Sequence, residues 1–263
     1  MTRVLVSDPI ADKGIEILEN AGFEVIYNPN PSNDELQSYS RDISAWVVRS
    51  STKILAEYLK DARNLQIIGR AGVGVDNIDI NEATNQGIIV MNMPDGNTIS
   101  AAEHSIAMMM ALSRNIQLGH VGMLAGEWNR KHLVGSELHG KILGIVGLGR
   151  IGREVIKRTI GLGMTILGYD PFVSPEVFNE EQVEIVDMDE LSEKSDYITL
   201  HVPLLDSTKN LFDSKRLAMM KESARLINVA RGGIIDEEKV KIVDLDELTE
   251  KSDYITLHVP FIE

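Results

Sequence analysis

The sequence contains no cysteine, and its 26 Lys and Arg residues are outnumbered by 40 Asp and Glu residues. The lack of cysteine excludes a disulfide framework and a thiolate metal site, and it suits a reducing compartment, so we expect a cytoplasmic location. The net charge of -14 argues against nucleic acid and membrane surfaces as partners, because both attract clustered Lys and Arg. We find no signal-peptide pattern at the start and no apolar stretch long enough to span a bilayer.

A length of 263 residues, 43% of them hydrophobic, allows two α/β domains. In the first hundred residues, short β-branched segments alternate with amphipathic ones, which predicts βα units around a parallel sheet. The predicted strands are Val4–Val6, Phe23–Tyr27, Ala45–Val48, Leu65–Ile68 and Ile88–Met91, and the predicted helices are 12–21, 33–40, 53–61 and 79–86. A turn-rich segment at 93–97 predicts a boundary near 94–98. We therefore assign residues 1–97 to a smaller, flavodoxin-like α/β domain.

Residues 98–263 are predicted to form a second α/β domain. It begins with a long helix, because Ser100–Glu103 matches a capping box and an apolar stripe that includes Met109 follows. We interpret this stripe as a core or subunit face rather than a methionine-lined cofactor contact. The later predicted strands are Ile142–Val146, Thr165–Tyr169, Tyr197–His201 and Arg225–Val229, and the helices are Arg153–Leu162, 189–194 and 212–220. This alternation predicts a Rossmann doubly wound parallel sheet.

A glycine motif, Gly147-Leu148-Gly149-Arg150-Ile151-Gly152, stands between the first of these strands and its helix. In that context, Gly147 permits a tight turn, Gly149 allows the backbone to approach a pyrophosphate, and Gly152 lets helix and strand pack closely. Asp170 ends the next strand, where a carboxylate accepts hydrogen bonds from ribose hydroxyls and repels a 2′-phosphate. The motif therefore predicts a dinucleotide site that prefers NAD to NADP, with a simple strand-end turn as the alternative interpretation of Asp170.

Arginines follow predicted strands at three places, and the carboxyl ends of parallel strands are where α/β sheets bind ligands. Arg231 follows a strand in the second domain, where a guanidinium is suited to bind a substrate carboxylate in a forked geometry. Arg49 and Arg70 follow strands in the first domain, and nearby small residues leave backbone amides open to an anion. A surface ion pair is the alternative for Arg231.

The six histidines and the acidic segments give no support to metal catalysis. No histidine pair has the spacing of a zinc protease, no serine lies in a nucleophile elbow, and the acidic segment 187–190 is typical of a helix start. We therefore predict no metal site.

Residues 237–260 repeat residues 180–203 almost letter for letter. Solenoid repeats diverge more and recur at least three times, so we interpret this single copy as a recombined join rather than a repeat architecture. If the second copy folds like the first, residues 246–252 form a helix and Tyr254–His258 adds a strand to the sheet.

Seven segments, taken together in order, resemble the D-2-hydroxyacid dehydrogenase family over residues 1–238. They are VVRSSTKI (47–54), GRAGVGVDNID (69–79), VMNMPDGNTISAAEH (90–104), GKILGIVGLGRIGREV (140–155), GYDPFVSPE (168–176), DYITLHVPLLDSTKNL (196–211) and LINVARGGIIDEE (226–238). The resemblance implies an oxidoreductase that transfers hydride between NAD and a D-2-hydroxy acid. The segments favour the branch that oxidises D-3-phosphoglycerate to 3-phosphohydroxypyruvate in serine biosynthesis.

The resemblance also implies roles for individual residues and a homodimeric or tetrameric assembly. Arg231 matches the family's catalytic arginine. The residues that match substrate contacts are Arg49, Ser50, Ser51, Arg70, Val73, Gly74 and Asn97. The residues that match cofactor contacts, besides Arg231, are Gly147, Gly149, Arg150, Ile151, Gly152, Asp170, His201, Val202, Pro203, Thr208, Val229 and Ala230. The helix from Thr98 and the segment around Trp128 match the dimer interface, and Arg130 and Lys131 match residues that approach a partner's active site.

In this family a glutamate and a proton-accepting histidine both follow the arginine, and the 263 residues contain neither motif after Arg231. We therefore expect NAD binding with low turnover, which a reaction of the chain with 3-phosphohydroxypyruvate and NADH would measure. Two alternatives stay open. One is a reductase of glyoxylate or another 2-keto acid, and the other is a non-catalytic protein that senses NAD, since a fold does not fix a function.

Overall fold

The computed structural model describes residues 2–128, 130–178 and 183–239. The chain divides into two compact units, residues 1–97 and 98–263. Each unit contains its own five-stranded sheet, and all strand pairs in both sheets are parallel. The predicted α/β fold class is therefore confirmed. Residues 240–260 of the duplicated segment, including the proposed helix at 246–252 and strand Tyr254–His258, lie outside the described residues.

The first unit alternates strands and helices in the manner of βα units. Its strands are β1 (Arg3–Val6), β2 (Glu24–Tyr27), β3 (Ala45–Val48), β4 (Ile67–Arg70) and β5 (Ile89–Asn92), and its helices are α1 (Asp12–Asn20), α2 (Asn33–Ser40), α3 (Ala56–Lys60) and α4 (Ile80–Asn85). The strand order is β2-β1-β3-β4-β5, which is the order of flavodoxin-like sheets. β2 is therefore added on one side of β1 and the later strands on the other side, so the strand order reverses between β1 and β3.

The two faces of this sheet differ in how well they are covered. Trp46 and Ile68 point to one face and are fully buried in a cluster with side chains of α2, α3 and α4. Their neighbours along the strands point to the opposite face. There Ile67 pairs with Ile89, which is 60% exposed, and Gly69 pairs with Met91, which is 53% exposed. The β4–β5 half of this second face is therefore apolar and open to solvent.

The second unit begins with helices and continues as a doubly wound sheet. Its helices are α5 (Thr98–Arg114), α6 (Ile116–Leu124), α7 (Arg150–Ile160), α8 (Met188–Lys194) and α9 (Ser214–Met219), and its strands are β6 (Ile142–Val146), β7 (Thr165–Tyr169), β8 (Val183–Ile185), β9 (Tyr197–Leu200) and β10 (Arg225–Asn228). Short 3-10 helices span Arg130–Leu133, Pro175–Phe178 and Glu237–Lys239. The strand order is β10-β9-β6-β7-β8. Its reversal point lies between β6 and β9, as in Rossmann sheets.

Both faces of this second sheet are buried. Leu143, Ile145 and Tyr197 belong to a cluster with α5 and α7. Ile198 and Leu200 point the other way and belong to a cluster with α8 and with residues near α9. Parallel sheets are normally covered on both faces, and the continuous burial of β9 reflects this arrangement.

The structure corrects several sequence predictions. Helix α5 begins at Thr98, so Ser100 lies in its first turn and the predicted capping box at Ser100–Glu103 is wrong. Helix α7 begins at Arg150, directly after the glycine turn, rather than at Arg153. Helix α6 and strand β8 were not predicted. The sequence of α6, IQLGHVGML, has no polar face and therefore no helical periodicity to detect.

Candidate functional site

The glycine turn joins β6 to α7 at the reversal point of the second sheet. Gly147 has a φ of +95°, a conformation that side chains strongly disfavour. A Cβ atom there would also lie 2.6 Å from the carbonyl oxygen of His201 and 2.9 Å from a methyl group of Val202. Only glycine fits this position, because the end of β9 passes directly beside the turn.

The other two glycines of the motif have different surroundings. A Cβ atom on Gly152 would lie 2.2 Å from the carbonyl oxygen of Gly147, so the helix packs directly on the turn. A Cβ atom on Gly149 would meet no protein atom within 4 Å. Gly149 is the N-cap of α7 and provides no side-chain cap. The first-turn N–H groups of α7 thus lie beside open space, as a phosphate-binding helix start requires.

Asp170 follows β7, and both of its carboxylate oxygens accept backbone hydrogen bonds. The N–H group of Leu148 donates to Oδ2 at 2.9 Å, and the N–H group of Phe172 donates to Oδ1 at 2.9 Å. These contacts include the strand-end turn considered as the alternative role for Asp170. They also fix the carboxylate beside the glycine turn, with a lone pair remaining on each oxygen for a further donor.

The segment after β9 forms the opposite side of this site. His201 and Val202 contact the glycine turn as described, and Pro203 begins a loop that Thr208 organises. The hydroxyl of Thr208 donates to the carbonyl of Pro203 and accepts the N–H of Leu205 at 2.8 Å. The loop conformation is therefore fixed by one side chain that the sequence analysis assigned to cofactor binding.

His201 is neutral at ordinary pH in this environment. Burial of the ring lowers the pKa of His201 to about 4, because desolvation disfavours the imidazolium form. Its Nε2 atom lies 3.1 Å from the hydroxyl of Thr199. The imidazole therefore adds no positive charge beside the glycine turn.

Arg231 is held at the end of β10 by a residue that the sequence analysis did not single out. Asn228 is fully buried, and its side-chain amide donates to the carbonyl of Arg231 at 2.8 Å. The Oδ1 atom of Asn228 accepts the N–H group of Ala230 at 3.0 Å. Asn228 thus fixes the backbone from Val229 to Arg231. In the sequence, the only indication of this role was that an asparagine stands three residues before the arginine.

In the first unit, Arg49 and Ser50 follow β3, and Arg70 ends β4. The guanidinium of Arg70 lies over Gly72, where a Cβ atom would be 1.7 Å from Nη1. The side chain of Asn92 donates to the carbonyl of Val73 at 2.6 Å, which fixes the loop that continues to Gly74. Asn97 directly precedes α5. The predicted substrate residues thus lie at or just after the carboxyl ends of β3 and β4, except Asn97, which ends the unit.

Neither a metal site nor a membrane-spanning helix is found among residues 2–128, 130–178 and 183–239. Across these segments, no group of three His, Asp or Glu side chains is arranged to hold a metal ion. None of the described helices is both long and apolar enough to cross a membrane.

The chain belongs to the D-isomer specific 2-hydroxyacid dehydrogenase family, whose NAD binding domain matches residues 106–241. The family and the NAD cofactor predicted from the sequence are confirmed. The match contains the glycine turn, Asp170, the loop after β9 and Arg231.

Individual relatives extend the similarity into the first unit. The D-3-phosphoglycerate dehydrogenase of Methanocaldococcus jannaschii is 46% identical over 90% of this chain and 45% of its own length. That of Archaeoglobus fulgidus is 48% identical over 89% of this chain and 45% of its own length. The solved NAD-dependent formate dehydrogenase of Staphylococcus aureus, in complex with NAD, is 31% identical with a TM-score of 0.81, over 90% of this chain and 76% of that one. The chain thus spans a little under half the length of these two curated relatives.

The residues present fit a dinucleotide. The open space at Gly149 allows a pyrophosphate to approach the backbone. The start of α7, which has no side-chain cap, offers N–H donors to it. The fixed carboxylate of Asp170 can accept hydrogen bonds from ribose hydroxyls.

Proposed function

We propose that the chain is an NAD-dependent oxidoreductase of D-2-hydroxy acids and that its substrate is D-3-phosphoglycerate, oxidised to 3-phosphohydroxypyruvate. The observation that carries this proposal is the arginine at the end of β10, held by Asn228 in the same sheet as the glycine turn. The identity of 46% to a D-3-phosphoglycerate dehydrogenase, which extends over both units, supports the choice of substrate.

In this mechanism the chain binds and orients the reactants. NAD supplies the hydride acceptor when it is bound. When NAD is bound, the start of α7 would hold its pyrophosphate and Asp170 would accept hydrogen bonds from its ribose. Arg231 binds the carboxylate and polarises the reacting oxygen, since a guanidinium is a fixed, permanent cation. In the first unit, we assign substrate binding to the residues that match substrate contacts of the family, namely Arg49, Ser50, Arg70, Val73, Gly74 and Asn97.

The cofactor part of the proposal is tested by titrating the chain with NADH and NADPH while following nicotinamide fluorescence. We expect NADH to bind more tightly, and we expect Asp170→Ala to weaken NADH and remove the preference. Asp189→Ala, an exposed aspartate on α8, is the control that should leave both affinities unchanged. Equal affinities of the unaltered chain for both cofactors would contradict the role of Asp170.

The substrate part is tested by binding rather than turnover. Isothermal titration of the NADH-saturated chain would compare 3-phosphohydroxypyruvate, hydroxypyruvate and glyoxylate. We expect 3-phosphohydroxypyruvate to bind most tightly and Arg231→Gln to weaken all three, because each carries the carboxylate. Tighter binding of glyoxylate would favour the 2-keto acid reductase alternative, and binding of NADH alone would favour an NAD-sensing protein.

We also propose that the protein is a homodimer or tetramer, as expected from the sequence, and that it acts in the cytoplasm. Helix α6 supports the assembly, because it buries none of its residues in the described chain although it is strongly apolar. Leu124 is 77% exposed and Trp128 is 74% exposed. Large apolar side chains exposed on one short segment are typical of contact surfaces. Light scattering should detect a dimer that Leu124→Glu disrupts. Ile17→Glu, which also places a charge at an exposed apolar position but on α1, should leave the dimer intact.

A further inference from the structure

A buried carboxylate lies at the carboxyl ends of β1 and β3. The two strands are parallel neighbours, with Val6 paired to Val47, and the strand order of the sheet reverses between them. Sheets of this order bind ligands outside the strand ends at this point. Here the connection after β1 places Asp8 in that position, and Asp8 is only 1% exposed.

The carboxylate of Asp8 accepts hydrogen bonds from the loop that follows β3. Its Oδ2 atom accepts the N–H of Arg49 at 2.5 Å, and its Oδ1 atom accepts the N–H of Thr52 at 2.9 Å. The hydroxyl of Thr52 also lies 2.7 Å from Oδ1. A buried carboxylate needs such donors, because an unsatisfied one is strongly destabilising. Asp8 therefore holds this loop at both of its ends.

Asn77 holds the same two residues from their carbonyl sides. Its Nδ2 atom donates to the carbonyl of Arg49 at 2.8 Å and to the carbonyl of Thr52 at 2.7 Å. Both hydrogens of the amide are used in this way. The guanidinium of Arg49 is itself tied to the first connection, since Nη1 donates to the carbonyl of Pro9 at 3.2 Å. Between the two clamped residues, Ser50 and Ser51 remain exposed.

We propose that Asp8 and Asn77 are positioning residues that fix the Arg49–Thr52 loop in the geometry that binds the substrate anion. This inference rests on the proposed function for the role of Arg49 and Ser50. The electrostatic field of the Asp8 carboxylate and its effect on the loop conformation predict opposite changes in anion affinity. Its negative charge repels an anion, so removing the charge tightens binding if only the field matters, and weakens binding if the loop geometry matters.

The test compares Asp8→Asn and Asn77→Ala with two matched controls on exposed sites nearby, Asp12→Asn and Asn85→Ala. Titration of each NADH-saturated variant with 3-phosphohydroxypyruvate gives the affinity. We expect Asp8→Asn and Asn77→Ala to weaken it by about tenfold or more, since small misplacements of binding groups have effects of this size. The affinity for NADH should stay unchanged, because that site lies in the second unit.

Hydrogen exchange of the Arg49 and Thr52 amides provides a second measurement that needs no ligand. We expect Asp8→Asn to raise both exchange rates while leaving the amides of β4 unchanged, which also shows that the unit is folded. Thr52→Val, which removes only the hydroxyl contact, should have a smaller effect of the same sign. Unchanged exchange, or tighter anion binding by Asp8→Asn, would overturn the positioning role. If the unaltered chain binds no keto acid, the proposed function fails, and exchange alone decides whether Asp8 holds the loop.

Discussion

Each unit contains a five-stranded parallel sheet. Among the described residues, both faces of the second sheet are covered, whereas one face of the first is partly exposed. In the second unit, β9 is buried along its whole length between two apolar clusters. In the first unit, the rows through Ile89 and Met91 face solvent. Burial of apolar surface is the main source of stability. The two sheets have the same number of strands but different strand orders and different coverage, and we expect the second unit to be the more stable.

The largest effect is expected in the second unit, at the glycine turn. Gly147→Ala places a side chain at a positive φ and against the carbonyl of His201, so we expect a loss of about 2 to 4 kcal/mol in the free energy of unfolding. Gly149→Ala is the matched control, because no atom lies near its Cβ. It should leave stability nearly unchanged while weakening NADH by about tenfold. Denaturant titration and NADH fluorescence measure the two effects, and equal loss of stability in both variants would contradict the geometry.

The comparison of the sheets is tested directly by native-state hydrogen exchange. We expect amides of β4 and β5 in the first unit to exchange on the order of 100-fold faster than those of β6 and β9. The physical reason is that local opening exposes less apolar surface where one face is already open. Equal protection of the two sheets would show that the open face does not weaken the first unit.

The two units should also differ in their response to acid, since all histidines lie after residue 97. The pKa of His201 is lowered to about 4, whereas the pKa of a histidine in an unfolded chain is about 6.5. Between pH values of about 6.5 and 4, His201 is protonated in the unfolded chain but not in the folded chain. The free energy of unfolding is therefore highest above about pH 6.5 and decreases as the pH falls through this range. Unfolding of the second unit at pH 7 and pH 4.5, with His201→Gln as the reference, measures this loss. An NMR titration midpoint near 6.5 for His201 would contradict it.

The smallest effects are expected at helix starts, where the units can be compared at matched sites. Ser32 caps α2 through a capping box with Glu35, and Asp187 caps α8 by accepting the N–H of Glu190. Replacing either cap by Ala should lower stability by about 1 kcal/mol. We expect Ser32→Ala to change only the transition of the first unit and Asp187→Ala only that of the second. A single shared transition in thermal unfolding would indicate that the units unfold together.

The sequence predicted those elements whose signal lies within a few neighbouring residues. The strand, glycine turn and helix around Gly147 follow one another within twenty residues, and each is recognisable by composition. Helix α6 was missed because its apolar residues do not alternate with polar ones. The roles of Asp8 and Asn77 were missed for another reason: their hydrogen bonds join residues 25 to 44 positions apart. Such pairings depend on the sheet order, which a single sequence does not display.

Asp170 has a consequence for attempts to redesign cofactor preference. Its carboxylate accepts hydrogen bonds from the N–H groups of Leu148 and Phe172, and in the proposed function it also accepts hydrogen bonds from the ribose. A replacement that binds a 2′-phosphate, such as arginine, would remove both acceptors at once and release the glycine turn, to which we assign the pyrophosphate. Re-engineering this chain for NADP would therefore begin with a new acceptor for Leu148, supplied by another residue, before the charge at position 170 is reversed.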